Sequence, residues 1–154
     1  MSYDSFLRVI KEGKCDKVRD YIIRGYNLDG MNGLGWTPLT LACWQGKKEI
    51  VNLLIESGAD INKSSKSGRT PLIYACMYKN IEIVEILISE GVEIDKTTKT
   101  GWTPLMEACY HGEANIVELL VYNGADVKKR NNIGKSAAFY ADENKRIIST
   151  LNAK

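Results

Sequence analysis

The sequence has a single histidine, His111, among 154 residues. It cannot pair with the nearby Cys109, because residues two apart on a helix point to different sides, and a lone histidine supplies no base beside a nucleophile. Glycine-rich phosphate loops and Cys-x-x-Cys pairs are also missing. Carboxylates such as Glu82 and Glu85 fit the solvated side of a helix. We therefore expect no enzymatic activity, no catalytic residue, no metal site and no cofactor.

Long apolar runs and strong net charge are equally absent. No run approaches the ~20 apolar residues that span a bilayer, and the polar N-terminal segment lacks the apolar region of a secretory signal. Four cysteines without an export signal favour a reducing compartment, so a location in the cytoplasm or nucleus is expected. A net charge of +2 is too small to indicate nucleic acid as the main partner.

What the sequence does contain is a repeat with a period of 33 residues. Five series of residues recur at this step, which chance does not explain. They are Thr37, Thr70 and Thr103, followed by Ser136; Pro38, Pro71 and Pro104, followed by Ala137; Gly35, Gly68, Gly101 and Gly134; Ala42, Ala75, Ala108 and Ala141; and Gly25, Gly58, Gly91 and Gly124. With T-P-L followed by A-C-x-x-G, the pattern resembles the ankyrin repeat over nearly the whole chain.

The recurring residues predict two helices in each repeat. Thr37 is a good N-cap, and Pro38 fits the first helical position, where a missing N–H costs nothing. A first apolar stripe follows them, and a second stripe predicts a second helix that ends before Gly58. The positions of these two stripes are Leu39, Ala42 and Cys43, then Ile50, Val51, Leu53 and Leu54.

One such unit cannot bury its own apolar faces, so the units must stack. The sequence therefore predicts an all-α solenoid that forms one monomeric domain over residues 1–154, and the resemblance implies β-hairpin-like fingers. In the first repeat Asp4 takes the cap position, and bulkier Phe6, Val9 and Ile10 occupy the core positions. The expected divisions are an N-terminal capping repeat at 1–32, central repeats at 33–65, 66–98 and 99–131, and a truncated C-terminal capping repeat at 132–154.

One position departs from the ankyrin pattern in every repeat. Ankyrin repeats commonly read T-P-L-H, but the histidine slot here holds Thr40, Ile73 and Met106. The resemblance implies that the usual hydrogen bonds between adjacent repeats are lost. We expect apolar packing to supply more of the cohesion.

Three cysteines recur at equivalent positions, Cys43, Cys76 and Cys109. Equivalent positions of packed helices lie ~8–10 Å apart, which is too far for a disulfide, since that needs Cα atoms within ~7 Å. Ligands of one metal ion must converge on a point. We expect these three cysteines to be small buried residues and Cys15 to be a partly exposed thiol without a role.

The side of each first helix opposite the core stripe is unusually aromatic. Positions 41, 44 and 45 and their equivalents should face away from the core, as should the residue after each finger glycine, and the resemblance implies a concave surface that binds partners. Tyr, Trp, Met and Arg are typical of interface cores. The candidate partner-binding residues are Trp36, Leu41, Trp44, Gln45, Arg69, Tyr74, Met77, Tyr78, Trp102, Glu107, Tyr110 and His111. Trp44, Tyr78 and Tyr110 are the strongest candidates.

Charge differs between the two sides of the predicted solenoid. The finger segments carry a net positive charge and the second helices a net negative one. Lysines repeat along the fingers, at Lys63, Lys66, Lys96, Lys99 and Lys129. They are the charges expected to steer an acidic protein or peptide towards the aromatic surface.

Two other functions are compatible with the sequence. The finger lysines could bind an anionic partner, nucleic acid or acidic lipid, although acidic residues are interspersed at Asp60, Glu93, Asp95 and Asp126. Asn62, in A-D-I-N, resembles the finger asparagine that asparaginyl hydroxylases modify in ankyrin proteins. The main hypothesis is an adaptor or inhibitor that binds another protein.

Overall fold

The computed structural model describes residues 2–154, and within them it contains ten α-helices and no β-strand. The predicted all-α solenoid is confirmed. Helices alternate between a first and a second helix of each repeat. Their bounds are α1 Tyr3–Lys11, α2 Cys15–Ile23, α3 Pro38–Trp44, α4 Lys48–Glu56, α5 Pro71–Met77, α6 Ile81–Ser89, α7 Pro104–Tyr110, α8 Ala114–Tyr122, α9 Ala137–Tyr140 and α10 Lys145–Asn152.

The Thr-Pro pairs start the central first helices as predicted. The hydroxyls of Thr37, Thr70 and Thr103 each accept a hydrogen bond from the backbone N–H three residues on, which satisfies one of the free donors of the first turn. Ser136 makes no such bond, and α9 spans only four residues. The prediction that Asp4 caps the first helix is wrong, because the N-cap is Ser2, two residues earlier, whose hydroxyl accepts from the N–H of Ser5.

Each of the first helices α1, α3, α5 and α7 packs on the first helix of the next repeat and on its own second helix. Ala42, Ala75 and Ala108, one in each central first helix, are fully buried. Their small side chains allow neighbouring helices to approach closely. The histidine-slot residues also point inward. Thr40 bonds back to Thr37 in a capping box, whereas Ile73 and Met106 are fully buried apolar side chains.

The three cysteines of the repeats lie in the interior as predicted. Cys43, Cys76 and Cys109 are buried free thiols, and Cys15 is half-buried. Burial raises the pKa of Cys109 to about 12, since a thiolate is poorly solvated there. The three repeat cysteines therefore pack as small apolar residues, each directly after a buried alanine in the sequence.

The fingers are tight hairpin turns, each closed by two backbone hydrogen bonds. In the finger between α4 and α5, Ser65 N–H donates to the Arg69 carbonyl and Gly68 N–H donates to the Ser65 carbonyl, both at 2.8 Å. Adjacent fingers touch at Gly35, which has φ +83° and whose carbonyl accepts from Lys66 N–H at 2.9 Å. A Cβ there would lie 2.1 Å from that of Lys66, so only glycine allows this contact.

A row of side-chain hydrogen bonds joins each finger to the next. Carboxylate or amide oxygens of Asp29, Asn62 and Asp95 accept from the backbone N–H of the residue 31 positions later, at 2.8, 2.9 and 3.0 Å. We call these three residues the finger ladder. They supply hydrogen bonds between repeats that the missing histidines do not.

Ion pairs join the second helices on the other side of the solenoid. Lys48 of α4 pairs with Glu82 of α6, and Arg146 of α10 contacts Glu118 of α8 through both Nε and Nη2, at 2.6 and 2.8 Å. These pairs are exposed to solvent, so each contributes little to stability. No helix within residues 2–154 is both long enough and apolar enough to cross a membrane.

Candidate functional site

Two groups of aromatic rings lie along the side formed by the fingers and the first helices. The first, which we call the N-terminal ring cluster, contains Trp36, Trp44, Tyr74 and Tyr78. Trp36 stacks on Trp44 with ring centroids 4.7 Å apart and contacts Tyr74 of the next repeat at 4.9 Å. Tyr78 meets the edge of Trp44 at 6.0 Å. A finger, α3 and α5 therefore contribute to one continuous aromatic surface.

The second group, the C-terminal ring cluster, contains Trp102, Tyr110, Phe139 and Tyr140. Trp102 contacts Tyr140 of the next repeat at 4.3 Å and Tyr110 at 5.8 Å. Phe139 meets Tyr140 at 5.2 Å, and the Lys135 ammonium lies 4.1 Å from the Phe139 centroid. The 33-residue period extends the predicted surface to Lys135 and Tyr140, which follow Trp102 and Glu107 by one period. Phe139 has no aromatic equivalent in the other repeats, so the sequence did not predict it.

Between the two clusters charged residues occupy the positions of this ring contact. Trp36 meets Tyr74, and Trp102 meets Tyr140. At the interface between the second and third central repeats, the equivalent positions hold Arg69 and Glu107. This pair leaves a cavity of about 430 Å³. Among its lining residues are Arg69, Met77, Trp102, Glu107, Tyr110 and His111.

The charged residues of this cavity are poorly satisfied. The Arg69 Nε is buried without a hydrogen-bond partner among the residues described. Glu107 is 7% exposed, and its Oε2 lies 3.7 Å from His111 Nε2. Burial raises the pKa of Glu107, and the positive charge of Arg69 opposes that shift. The carboxyl is therefore held in a site that disfavours its charge.

Exposure separates the predicted binding residues into two sets. Tyr78 and Tyr110 are 48% and 64% exposed. The residues of intermediate exposure are Trp36, Trp44, Gln45, Arg69, Met77, Trp102 and His111. These nine lie where a partner could touch them.

The helical phase assigned to position 41 is wrong. Leu41 is fully buried, and the equivalent residues Tyr74 and Glu107 are only 6% and 7% exposed. The reason is geometric: a central first helix is flanked by the first helices of both neighbouring repeats as well as by its own second helix, so these neighbours cover more than one stripe. Tyr74 and Glu107 still border the finger-side surface, through the ring contact to Trp36 and the cavity respectively.

The finger lysines do not form one uniform row. Lys63, Lys66 and Lys99 are exposed, whereas Lys96 and Lys129 are half-buried. The Lys129 ammonium donates to the Asp95 carbonyl at 3.0 Å. Asn62 is half-buried, and its side-chain oxygen belongs to the finger ladder. No group of three or more histidine, cysteine or acidic side chains within residues 2–154 is arranged to hold a metal ion.

Comparison with known families agrees with this architecture. A family model described as ankyrin repeats (3 copies) matches residues 6–98, 57–131 and 80–152, and the three matches together span most of the chain. No match was found among the curated proteins with which the chain was compared.

Proposed function

We propose, from the premise that the chain belongs to the ankyrin-repeat family, that its finger-side surface binds a folded protein or an extended peptide. Repeats of this family are generally protein–protein interaction modules. The protein would act as an adaptor or inhibitor with no catalysis of its own, as a monomer in the cytoplasm or nucleus. Its site would comprise the two ring clusters and the cavity between them.

One observation supports this most strongly: partly exposed rings concentrate on one side of the solenoid. Trp36, Trp44 and Tyr78 form one contact series, and Trp102 and Tyr110 another. Large aromatic side chains contribute a disproportionate share of binding energy at protein interfaces. A contiguous apolar patch on a monomer commonly marks an interaction site.

The charge distribution favours an acidic partner. Lys63, Lys66 and Lys99 are exposed on the fingers, and Lys99 lines the cavity. The second helices carry a net negative charge. Such an asymmetry raises the association rate and orients the partner more than it raises affinity. The lysines would attract the acidic partner, and the aromatic rings would supply most of the binding energy.

The test removes the exposed rings and asks whether binding is lost without unfolding. Because Tyr78 and Tyr110 are exposed, their joint replacement by alanine should leave the fold intact; Trp44→Ala is then added as a third change. Proteins recovered from a lysate of the natural source should fall at least about tenfold with the triple variant. Tyr122→Ala is the matched control, since this ring is 86% exposed on α8, on the other side.

Two outcomes would contradict the proposal. Equal recovery by the triple variant and the wild type would exclude the ring clusters as the binding surface. A large loss of stability in the Tyr78/Tyr110 double variant would show that these rings are structural. Circular dichroism thermal melts of all variants make the distinction.

An anionic partner, nucleic acid or acidic lipid, is the second candidate. The salt dependence of binding distinguishes it from a protein that binds through the rings. A surface that neutralises phosphates loses affinity steeply as salt is raised, whereas an aromatic groove loses little. The engagement of Lys129 with the Asp95 carbonyl and the interspersed carboxylates weigh against a continuous phosphate-binding row. A steep salt dependence that survives removal of the rings would favour this second candidate.

Hydroxylation of Asn62 is the third candidate. Its oxygen accepts a hydrogen bond from the N–H of Glu93 at 2.9 Å, so a modifying enzyme would have to reach a side chain held between two fingers. Mass spectrometry of protein from its natural source would reveal one added oxygen atom on Asn62.

A further inference from the structure

The cavity between the ring clusters breaks a contact that the molecule otherwise makes with rings. Trp36 meets Tyr74, and Trp102 meets Tyr140, each pair joining a finger to the next first helix. At the repeat interface between these two pairs, Arg69 and Glu107 occupy the same positions without coming within ion-pair distance of each other. An opening of about 430 Å³ is left where rings would otherwise pack.

The two members of the charged pair are incompletely matched by the protein around them. Arg69 Nε is buried and unpartnered among residues 2–154, and the 93%-buried Glu107 has only the imidazole of His111, at 3.7 Å. Buried donors and acceptors that remain unmatched are costly. A ligand that supplies an acceptor to Arg69 would remove this deficit, and a neutral donor in the same ligand would hydrogen-bond the desolvated carboxyl of Glu107.

The chemistry of the pair selects among partner side chains. A carboxylate would satisfy Arg69 but would be repelled by an ionised Glu107, whereas an ammonium or guanidinium group would satisfy Glu107 and be repelled by Arg69. A carboxamide carries no charge and presents a carbonyl oxygen and an NH₂ group side by side. It therefore matches both groups without adding a buried charge.

The other walls of the cavity suit the rest of such a side chain. Met77, Trp102 and Tyr110 line it, and these apolar surfaces can pack against methylene groups and the flat face of an amide. The opening is larger than one side chain, so a segment of peptide backbone can enter with it. Small-molecule sites generally combine such walls with a few polar groups that fix orientation.

We propose that this cavity is a specificity pocket for a glutamine or asparagine side chain of the bound partner, whose carbonyl accepts from Arg69 and whose NH₂ donates to Glu107. The inference rests on the proposed function and deepens it. The ring clusters would bind apolar parts of the partner on either side, and the pocket would set which residue lies between them.

The experiment uses the full chain and small probes, so no identified partner is needed. N-acetylglutamine N-methylamide and its asparagine analogue are titrated in parallel with the glutamate and lysine analogues, and binding is followed by NMR at the Trp102 indole N–H. The two carboxamides should bind at least about tenfold more tightly than the charged analogues, since each charged probe leaves one buried group unmatched. The Trp36 indole, in the other cluster, is the internal reference and should not shift.

A filled-pocket variant is the matched control. Arg69→Trp with Glu107→Tyr installs the ring pair found in both flanking repeats, so the fold has a precedent for it. Carboxamide binding should be abolished in this variant while thermal stability is retained. Stronger binding by the glutamate or lysine analogue, or carboxamide binding that survives in the filled variant, would overturn the inference.

Failure of this inference can be told from failure of the proposed function. If the filled-pocket variant recovers partners as well as the wild type while the Trp44/Tyr78/Tyr110 variant loses them, the surface binds protein but the pocket does not select a carboxamide. If both variants recover partners normally, the proposed binding surface itself is wrong.

Discussion

At the scale of single residues, two described residues other than glycine have a left-handed backbone conformation, Lys79 and Asp142, and Lys79 stands where the first repeat and the other two central repeats have glycine. Gly13, Gly46 and Gly112 close the turn between the two helices of their repeats with φ near +70°, and the equivalent residue of the remaining central repeat is Lys79, with φ +61°. A side chain in this left-handed region costs roughly 1–2 kcal/mol. The exposed ion pair between Lys79 and Glu113, at 3.0 Å, returns little of that.

We expect Lys79→Gly to be more stable than Lys79→Ala by about 1 kcal/mol, because the two variants lose the same ion pair and differ only in the Cβ. The glycine variant should also be at least as stable as the wild type. Urea unfolding monitored by tryptophan fluorescence measures the three free energies of unfolding. An alanine variant that equals the glycine variant would mean that the turn relaxes out of the left-handed conformation.

The burial of a side chain was predictable from the sequence only where its helix is covered from one direction. The stripe Ile50, Val51 and Leu54 is buried as its spacing requires. The burial of Leu41 was not predictable from helical periodicity. That periodicity separates one buried stripe from one exposed stripe, whereas each central first helix is covered by three other helices. The exposure of Tyr78 and Tyr110 follows from their place at the ends of α5 and α7, where that cover stops.

At the scale of elements, the fingers are stabilised by contacts that no single repeat contains. Asn62 Oδ1 accepts from Glu93 N–H, as Asp29 does from Asp60 and Asp95 does from Asp126. The helix starts were predictable because Thr and Pro act within four residues. The finger ladder was not predicted, because its partners are 31 residues apart and the acceptor alternates between Asp and Asn.

Replacing Asn62 by alanine should lower the free energy of unfolding by about 1 kcal/mol, since the Glu93 N–H loses its acceptor. Asn62→Asp keeps an oxygen in place, as the equivalent positions do naturally, and should stay close to the wild type. Chemical denaturation of both variants provides the comparison. Equal losses in the two variants would show that the amide nitrogen, rather than the oxygen, stabilises the finger.

At the scale of the whole molecule, each repeat contacts only its neighbours, and the stability of the ends therefore depends on a single interface. The C-terminal end is the weaker in its local structure: α9 has four residues and Ser136 makes no capping hydrogen bond. Ile147 and Leu151 bury one side of α10, and Arg146 adds an exposed ion pair to Glu118. The site is also a whole-molecule property, since the ring clusters and the cavity between them each join side chains from successive repeats. The 33-residue period identified many of these residues, but not the gap that Arg69 and Glu107 leave.

The last repeat should therefore open before the centre of the solenoid does. Amide hydrogen exchange is expected to be faster in residues 137–152 than in α5 to α8, because local opening there breaks one interface instead of two.

Giving the last repeat the Thr-Pro start of the others, with Ser136→Thr and Ala137→Pro, supplies a better-placed cap and a fixed φ at the first helical position. Exchange in α9 and α10 should slow several-fold, by about 1 kcal/mol of local stability, while α1 and α2 stay unchanged as the internal control. Uniform slowing along the whole chain would instead show that the solenoid opens as one cooperative unit, and unchanged exchange in α9 and α10 would show that the start of α9 does not limit their stability.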